Sequence, residues 1–314
     1  MRLGIDVGGT KTAAVVVDAT GAVHHEIRLP TALGEEGVLA TVGAAIKGIE
    51  AASHLDASRF ASVGIGIPGT VDPGTGRVSH AVNLAVEDLD LAGLVSAQIG
   101  RTVRVENDVK AAALGAYHAL GVHVRSMAYL TLGTGLAAGL VVDGQLWRGA
   151  RGVAGEIGHI PVADGPECPC GQNGCLELYA SGSALARLWP SRDAQPARAL
   201  FDAADSGDPE AVRLRRYFVG SVAAAVRLLV LTTDPDLVVI GGGISNLGDR
   251  LLTALRAVLD ADGARSPFLA SQELAPRVRL VPSGMPVAAV GAAFLGVDRP
   301  VGPSARQSTS ELSG

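Results

Sequence analysis

Cysteine is scarce in this 314-residue chain. It occurs only as Cys168, Cys170 and Cys175, the first two a single residue apart. So few thiols, so closely spaced, do not suit a disulfide framework, and a reducing cytoplasm is the expected compartment. Aromatic residues make up only 4%, so the core must be built from Val, Leu, Ile and Ala. Lysine occurs only at Lys11, Lys47 and Lys110; arginine supplies the other cations, which reads as a compositional bias. No basic stripe is present and the net charge is −5, which argues against a nucleic-acid partner. Asp6 interrupts the first apolar run, so no signal-peptide core is expected. The most apolar late stretch, 281–297, carries Pro282, Pro286 and several glycines; it predicts a strand end and a buried helix, and no membrane partner.

Apolar residues are plentiful at 48%, against 18% charged, which excludes a disordered chain. The length suits about two domains. Glycine is also abundant, at 41 residues without a collagen period, and suggests tight turns and close backbone approach to ligands. The chain opens with apolar runs at 3–7, 13–17 and 22–29 around Gly8, Gly9 and Asp18-Ala19-Thr20-Gly21, a β-meander. Helical periodicity follows at 38–53, 89–99 and 111–120, with short buried strands at 63–67 and 103–105. Further helices are predicted at 181–188, 196–205, 209–232, 247–259 and 287–295, and strands at 237–240 and 277–281.

The opening pattern recurs 125 positions later. Gly8 falls on Gly133, Ala13 on Ala138, Val16 on Val141, Val17 on Val142 and Asp18 on Asp143. Such a repeat implies two related lobes, each with a strand, a glycine turn and a second strand, the two turns facing one cleft. Alternating strands and helices give an α/β fold.

Five constellations can carry chemistry. In Asp6-Val7-Gly8-Gly9-Thr10-Lys11 the glycines let backbone N–H groups approach a phosphate, Thr10 adds a hydroxyl, and Asp6 can hold Mg²⁺. The segment also reads as an ordinary hairpin turn, and it is no Walker A loop. Gly133-Thr134-Gly135 is its duplicate, and two such turns could hold a triphosphate from both sides. In Glu106-Asn107-Asp108 the aspartate is either a helix N-cap or a general base that takes a hydroxyl proton. His159 with Cys168, Cys170 and Cys175 forms a closed donor set for structural Zn²⁺, with Gly171 and Gly174 letting the loop fold back. Glu156 and Glu177 flank that cluster, and paired carboxylates suit a polyhydroxylated ligand. Finally, Gly241, Gly242 and Gly243 end a buried strand, either as a flat bed for adenosine or as a tight β–α turn.

Together these segments resemble the ROK family of bacterial sugar kinases, related open reading frames and repressors, from Leu3 to about Val297. The stretch Gly155-Glu156-Ile157-Gly158-His159 and the Cys-Leu-Glu ending at Glu177 carry it most specifically. The resemblance implies an actin-like (ribonuclease H-like) ATPase fold, two duplicated lobes around a central cleft. It implies a small N-terminal lobe over 1–108 joined by a C-terminal helix at 286–297, and a large lobe over 109–285 with a zinc-binding loop at 151–177. Residues 298–314 read as a flexible tail. By the same resemblance, Asp108 is the base for a sugar 6-hydroxyl. Asn83, Asn107, Glu156, His159 and Glu177 bind the sugar, with Gly66, Pro68 and Gly69 lining the site, and His159 uses one ring nitrogen for zinc and one for sugar. Gly8, Gly9, Thr10 and Lys11 with Gly133, Thr134 and Gly135 cradle phosphates, and Gly241, Gly242 and Gly243 meet the adenosine. The implied activity is phosphorylation of a hexose by Mg-ATP, first as a glucokinase, alternatively as an N-acetylglucosamine or N-acetylmannosamine kinase. A non-catalytic sugar sensor is the third reading. Repressors of the family carry a helix-turn-helix ahead of this fold, and the strand starting at Leu3 leaves no room for one. The family also implies a homo-oligomer, dimer or tetramer.

Overall fold

The computed structural model describes residues 1–121, 124–190 and 195–296. The tail expected at 298–314, and the last residue of the 286–297 segment, lie outside them.

The first half runs β1 (Arg2–Val7), β2 (Lys11–Val17), β3 (Val23–Pro30), α1 (Gly34–Ser53), β4 (Val63–Ile67), β5 (Thr70–Val71), β6 (Val78–Ala81), β7 (Val86–Leu89), α2 (Leu91–Ile99), β8 (Arg104–Asn107) and α3 (Asp108–Ala119). The second half runs β9 (Ser126–Leu132), β10 (Leu136–Val142), β11 (Gln145–Leu146), α4 (Glu177–Ala180), α5 (Gly182–Leu188), α6 (Pro196–Asp205), α7 (Pro209–Thr233), β12 (Leu237–Gly241), α8 (Asp249–Arg265), α9 (Pro267–Ala270), β13 (Val278–Leu280) and α10 (Val287–Phe294).

Two five-stranded sheets have the same order, β3-β2-β1-β4-β8 and β11-β10-β9-β12-β13. The sequence repeat is therefore a repeat of structure. β1 pairs antiparallel with β2 and parallel with β4, and β9 does the same with β10 and β12. Asp6 lies opposite Gly66, and Thr131, its mate at the 125-residue offset, lies opposite Gly241. This is the actin-like ATPase fold of two lobes. A third, three-stranded sheet, β5-β6-β7, is an addition the sequence pattern did not disclose, because its strands have only two to four residues.

Alternation along the strands explains the layering. In β1 and β4, Leu3, Ile5, Val7, Val63, Ile65 and Ile67 pack with α1 in one core. The intervening Gly4 and Gly64 face α10 so closely that a Cβ would sit about 2 Å from the Ala289 and Ala292 carbonyl oxygens. The last helix among the described residues thus lies on the first sheet. α3 places Ala112, Ala113 and Ala116 on the second sheet, beside Met127, Tyr129 and Val239. α3 and α10 cross between the sheets at backbone distance. A Cβ on Gly115 would meet the Val287 carbonyl, and one on Gly291 the Ala111 carbonyl.

The second core rests on α7. Asp208 caps it by accepting the Ala211 N–H, Pro209 fits its first turn, and Asp234 ends it in the left-handed region. Its buried residues, Leu214, Phe218, Val222, Val226 and Leu229 among them, recur at helical spacing and pack against β12 and α8 residues. Burying each such side chain contributes about 1.5–3 kcal/mol. The helix predicted at 247–259 begins later, at Asp249, and extends to Arg265; Gly243–Leu247 is a 3₁₀ turn, made possible by the positive φ of Gly242 and Gly248.

Candidate active site

A cavity of about 340 Å³ opens where the two sheets present the carboxyl ends of their central strands. Asp6 of β1, Tyr129 and Thr131 of β9, Asp108 at the start of α3, and Gly242, Gly243 and Asn246 beyond β12 line it. Segment 281–288 closes one side. Burial pushes the Asp6 carboxyl up to about 7, with the Asp108 charge adding to it. Asp108 is raised by the same cause, and the Glu156 charge raises it further, while its backbone hydrogen bonds and the Lys110 cation pull it down. The Tyr129 hydroxyl is also pushed up by burial and stays a donor.

The first turn of α3 shows that Asp108 is not its cap. The cap is Asn107, whose Oδ1 accepts the Val109 and Lys110 N–H groups at 3.1 and 3.2 Å. Asp108 Oδ1 accepts from Val109, at 2.9 Å, and the residue lines the cavity. The Asn107 amide donates to the Gly69 carbonyl at 3.2 Å, which ties the Pro68-Gly69 turn to the helix start. A Cβ on Gly66 would lie 3.7 Å from the Asp108 Cα. Asn83 is brought to the first glycine turn: its Cβ lies 3.6 Å from where a Cβ on Gly9 would stand.

The glycine turns are closed internally. Gly8 N–H donates to the Lys11 carbonyl at 3.0 Å, and Gly133 N–H to that of Gly135 at 3.1 Å. Those two amides close the turns, so any phosphate donors there must come from the residues that follow them. The second turn is also anchored from behind. Gly182 N–H donates to the Gly133 carbonyl at 2.8 Å, and Ser183 N–H to that of Thr134 at 3.1 Å. Glu177 Oε2 accepts the Leu136 N–H at 2.8 Å and stands 2.4 Å from where a Cβ on Gly135 would be, so a side chain there would have to displace the carboxylate. Gly242 lies against the Leu132 backbone and Gly241 against the Tyr129 hydroxyl.

His159 and the three cysteines converge, their donor atoms all within 4.8 Å of one another. His159 Nδ1 is 3.8 Å from Cys168 Sγ, and Cys170 Sγ is 3.6 Å from Cys175 Sγ. The second distance is far beyond a disulfide bond, and all three cysteines are free. Tetrahedral zinc with bonds of about 2.3 Å requires ligand separations of this size. The loop closes by Cys168 N–H donating to the Gln172 carbonyl at 2.7 Å, with Gly171 and Gly174 at φ of 87° and 70°. The donor set therefore fits Zn²⁺. With Nδ1 turned to the cluster, the other ring nitrogen of His159 is left for a second partner.

Residues 2–297 match the family model described as the ROK family. The chain belongs to the ROK family. It is 36% identical to a glucokinase of Streptomyces coelicolor over 82% of this chain and 86% of that one. It is 34% identical to an N-acetylmannosamine kinase of Citrobacter koseri over 83% of this chain and 89% of the other. A crystal structure of a ROK family glucokinase from Streptomyces griseus in complex with glucose and AMPPNP matches with a TM-score of 0.76 and 34% identity, over 94% of this chain and 98% of that one.

Sequence reasoning missed Tyr129, Thr131 and Asn246 as cavity residues. Thr131 was within reach: the 125-residue offset carries Asp6 onto it. No helix among the described residues is long and apolar enough to cross a membrane.

Proposed function

We propose that this chain transfers the γ-phosphoryl group of Mg-ATP to the 6-hydroxyl of a hexose, with glucose as the first candidate. The observation that supports the reading most is the placement of Asp6 and Asp108 on one cavity at the ends of the duplicated sheets. Asp108 is the base that receives the hydroxyl proton as the oxygen attacks phosphorus. Asn83, Asn107, Glu156, His159 and Glu177 hold the sugar, beside Gly66, Pro68 and Gly69. The turns at Gly8, Gly9, Thr10 and Lys11 and at Gly133, Thr134 and Gly135 receive phosphates, and Gly241, Gly242 and Gly243 meet the adenosine. Asp6 holds Mg²⁺, which neutralises charge on the transferring phosphoryl group. His159, Cys168, Cys170 and Cys175 hold a structural Zn²⁺ that fixes the loop carrying Glu156 and Glu177.

On this reading the small lobe comprises 1–108 with the C-terminal helix of 286–297, and the large lobe 109–285. Closure of the lobes on the sugar excludes water and prevents idle hydrolysis of ATP. The protein acts in the cytoplasm, as a dimer or tetramer. The relatives named N-acetylmannosamine kinase at 34% identity favour a hexosamine kinase as the second reading. An ADP-coupled assay over glucose, mannose, N-acetylglucosamine, N-acetylmannosamine and fructose decides between them. ADP formation with glucose at the highest kcat/KM supports the first reading. Absence of ADP formation with every sugar rejects the kinase.

A further inference from the structure

Lys11 and Lys47 are exposed, but the Lys110 side chain is only 6% exposed. It leaves the first turn of α3 two residues after Asp108, and its Nζ lies 3.8 Å from Glu156 Oε1. Glu156 is 44% exposed and belongs to a segment pinned on the second sheet by the Ala138 N–H, which donates to the Gly155 carbonyl at 2.8 Å. A buried ammonium is costly to keep unless it faces negative charge. Here it faces the Glu156 carboxylate and acts on that of Asp108. Glu156 from the zinc-loop side acts on Asp108, Asp108 in turn acts on Asp6 of β1, and Tyr129 from β9 is neutral.

We propose that Lys110 is a positioning residue of the sugar site: its buried ammonium draws the Glu156 carboxylate to α3 and lets three carboxylates share one cleft. The proposal rests on the reading of Asp108 as base and Glu156 as sugar ligand. An ammonium so placed favours the ionised form of Asp108, the form a base requires. It also sets where Glu156 meets sugar hydroxyls without touching the sugar itself.

The test is the pH profile of kcat/KM for the hexose, with KM and kcat resolved, on wild type, Lys110→Met, Lys110→Arg and Glu156→Gln. Lys110→Met should move the acid limb up by about one pH unit and raise the hexose KM about tenfold, while the ATP KM holds. Lys110→Arg keeps the cation and should restore the limb. Glu156→Gln removes a repelling charge and should move the limb down; it serves even if Lys110→Met does not fold. A Lys110→Met enzyme that is less stable yet keeps the wild-type limb and hexose KM overturns the proposal, as does an unmoved limb in Glu156→Gln. A wild type inactive on every hexose instead defeats the underlying kinase reading.

Discussion

Glu177 Oε2 accepts the Leu136 N–H at 2.8 Å, so the last residue of the 151–177 loop grips the strand that leaves the second glycine turn. One carboxylate oxygen is thereby committed to the second glycine turn, and the other is the one that would meet the proposed hexose. Replacement separates the two jobs. Glu177→Gln keeps an oxygen for Leu136 and should raise the hexose KM with little change in the ATP KM. Glu177→Ala loses both and should raise both. Equal effects of the two variants on the ATP KM would contradict the bridging role.

Asp108→Asn preserves the oxygen that accepts the Val109 N–H, and the cap on Asn107 is untouched, so α3 should start as before. Only proton acceptance is lost. The kcat should fall by about 10²–10⁴-fold while hexose binding by calorimetry persists. A variant with near-normal kcat would remove Asp108 from the chemistry.

Asp6 links stability to pH. The folded chain keeps its proton up to about pH 7, whereas the unfolded chain releases it near 3.8. Its contribution is therefore complete below the unfolded value and is lost as pH rises through about 7. Asn is neutral throughout. Asp6→Asn should raise the Tm of the nucleotide-free protein near neutral pH and hardly alter it near pH 4, while turnover with Mg-ATP collapses. A Tm difference that does not vary with pH would refute the assignment.

The zinc reading makes a stoichiometric prediction. Elemental analysis of the wild type should find one zinc per chain, and Cys170→Ser should lose most of it. Because the metal-bound loop is flanked by Glu156 and Glu177, the hexose KM should rise before the ATP KM does, and the Tm should fall. Purified wild type without zinc would dismiss this part of the scheme.

The sequence disclosed the parts that follow from periodicity and repetition. The strands at 63–67 and 237–240, the helix at 196–205 and the 125-residue offset all have structural counterparts, because buried strands and amphipathic helices write themselves as apolar patterns. It could not disclose which of two adjacent polar residues caps α3, since Asn107 and Asp108 are both good caps and only the direction of the chain decides. Nor could it show that Gly8 and Gly133 use their own N–H groups to close their turns. The pairing of Lys110 with Glu156 spans 46 positions and leaves no local signature.

The crossing of α3 and α10 bears on how the polypeptide is made. Gly4 and Gly64 keep their bare faces for a helix that is translated more than two hundred residues after them. A ribosome that has delivered the first hundred residues has delivered a sheet with one side uncovered. That half must wait for Val287–Phe294 to emerge before it can seal. A nascent chain arrested before Val287 should accordingly be open to protease and attractive to chaperones, however complete its second half has become.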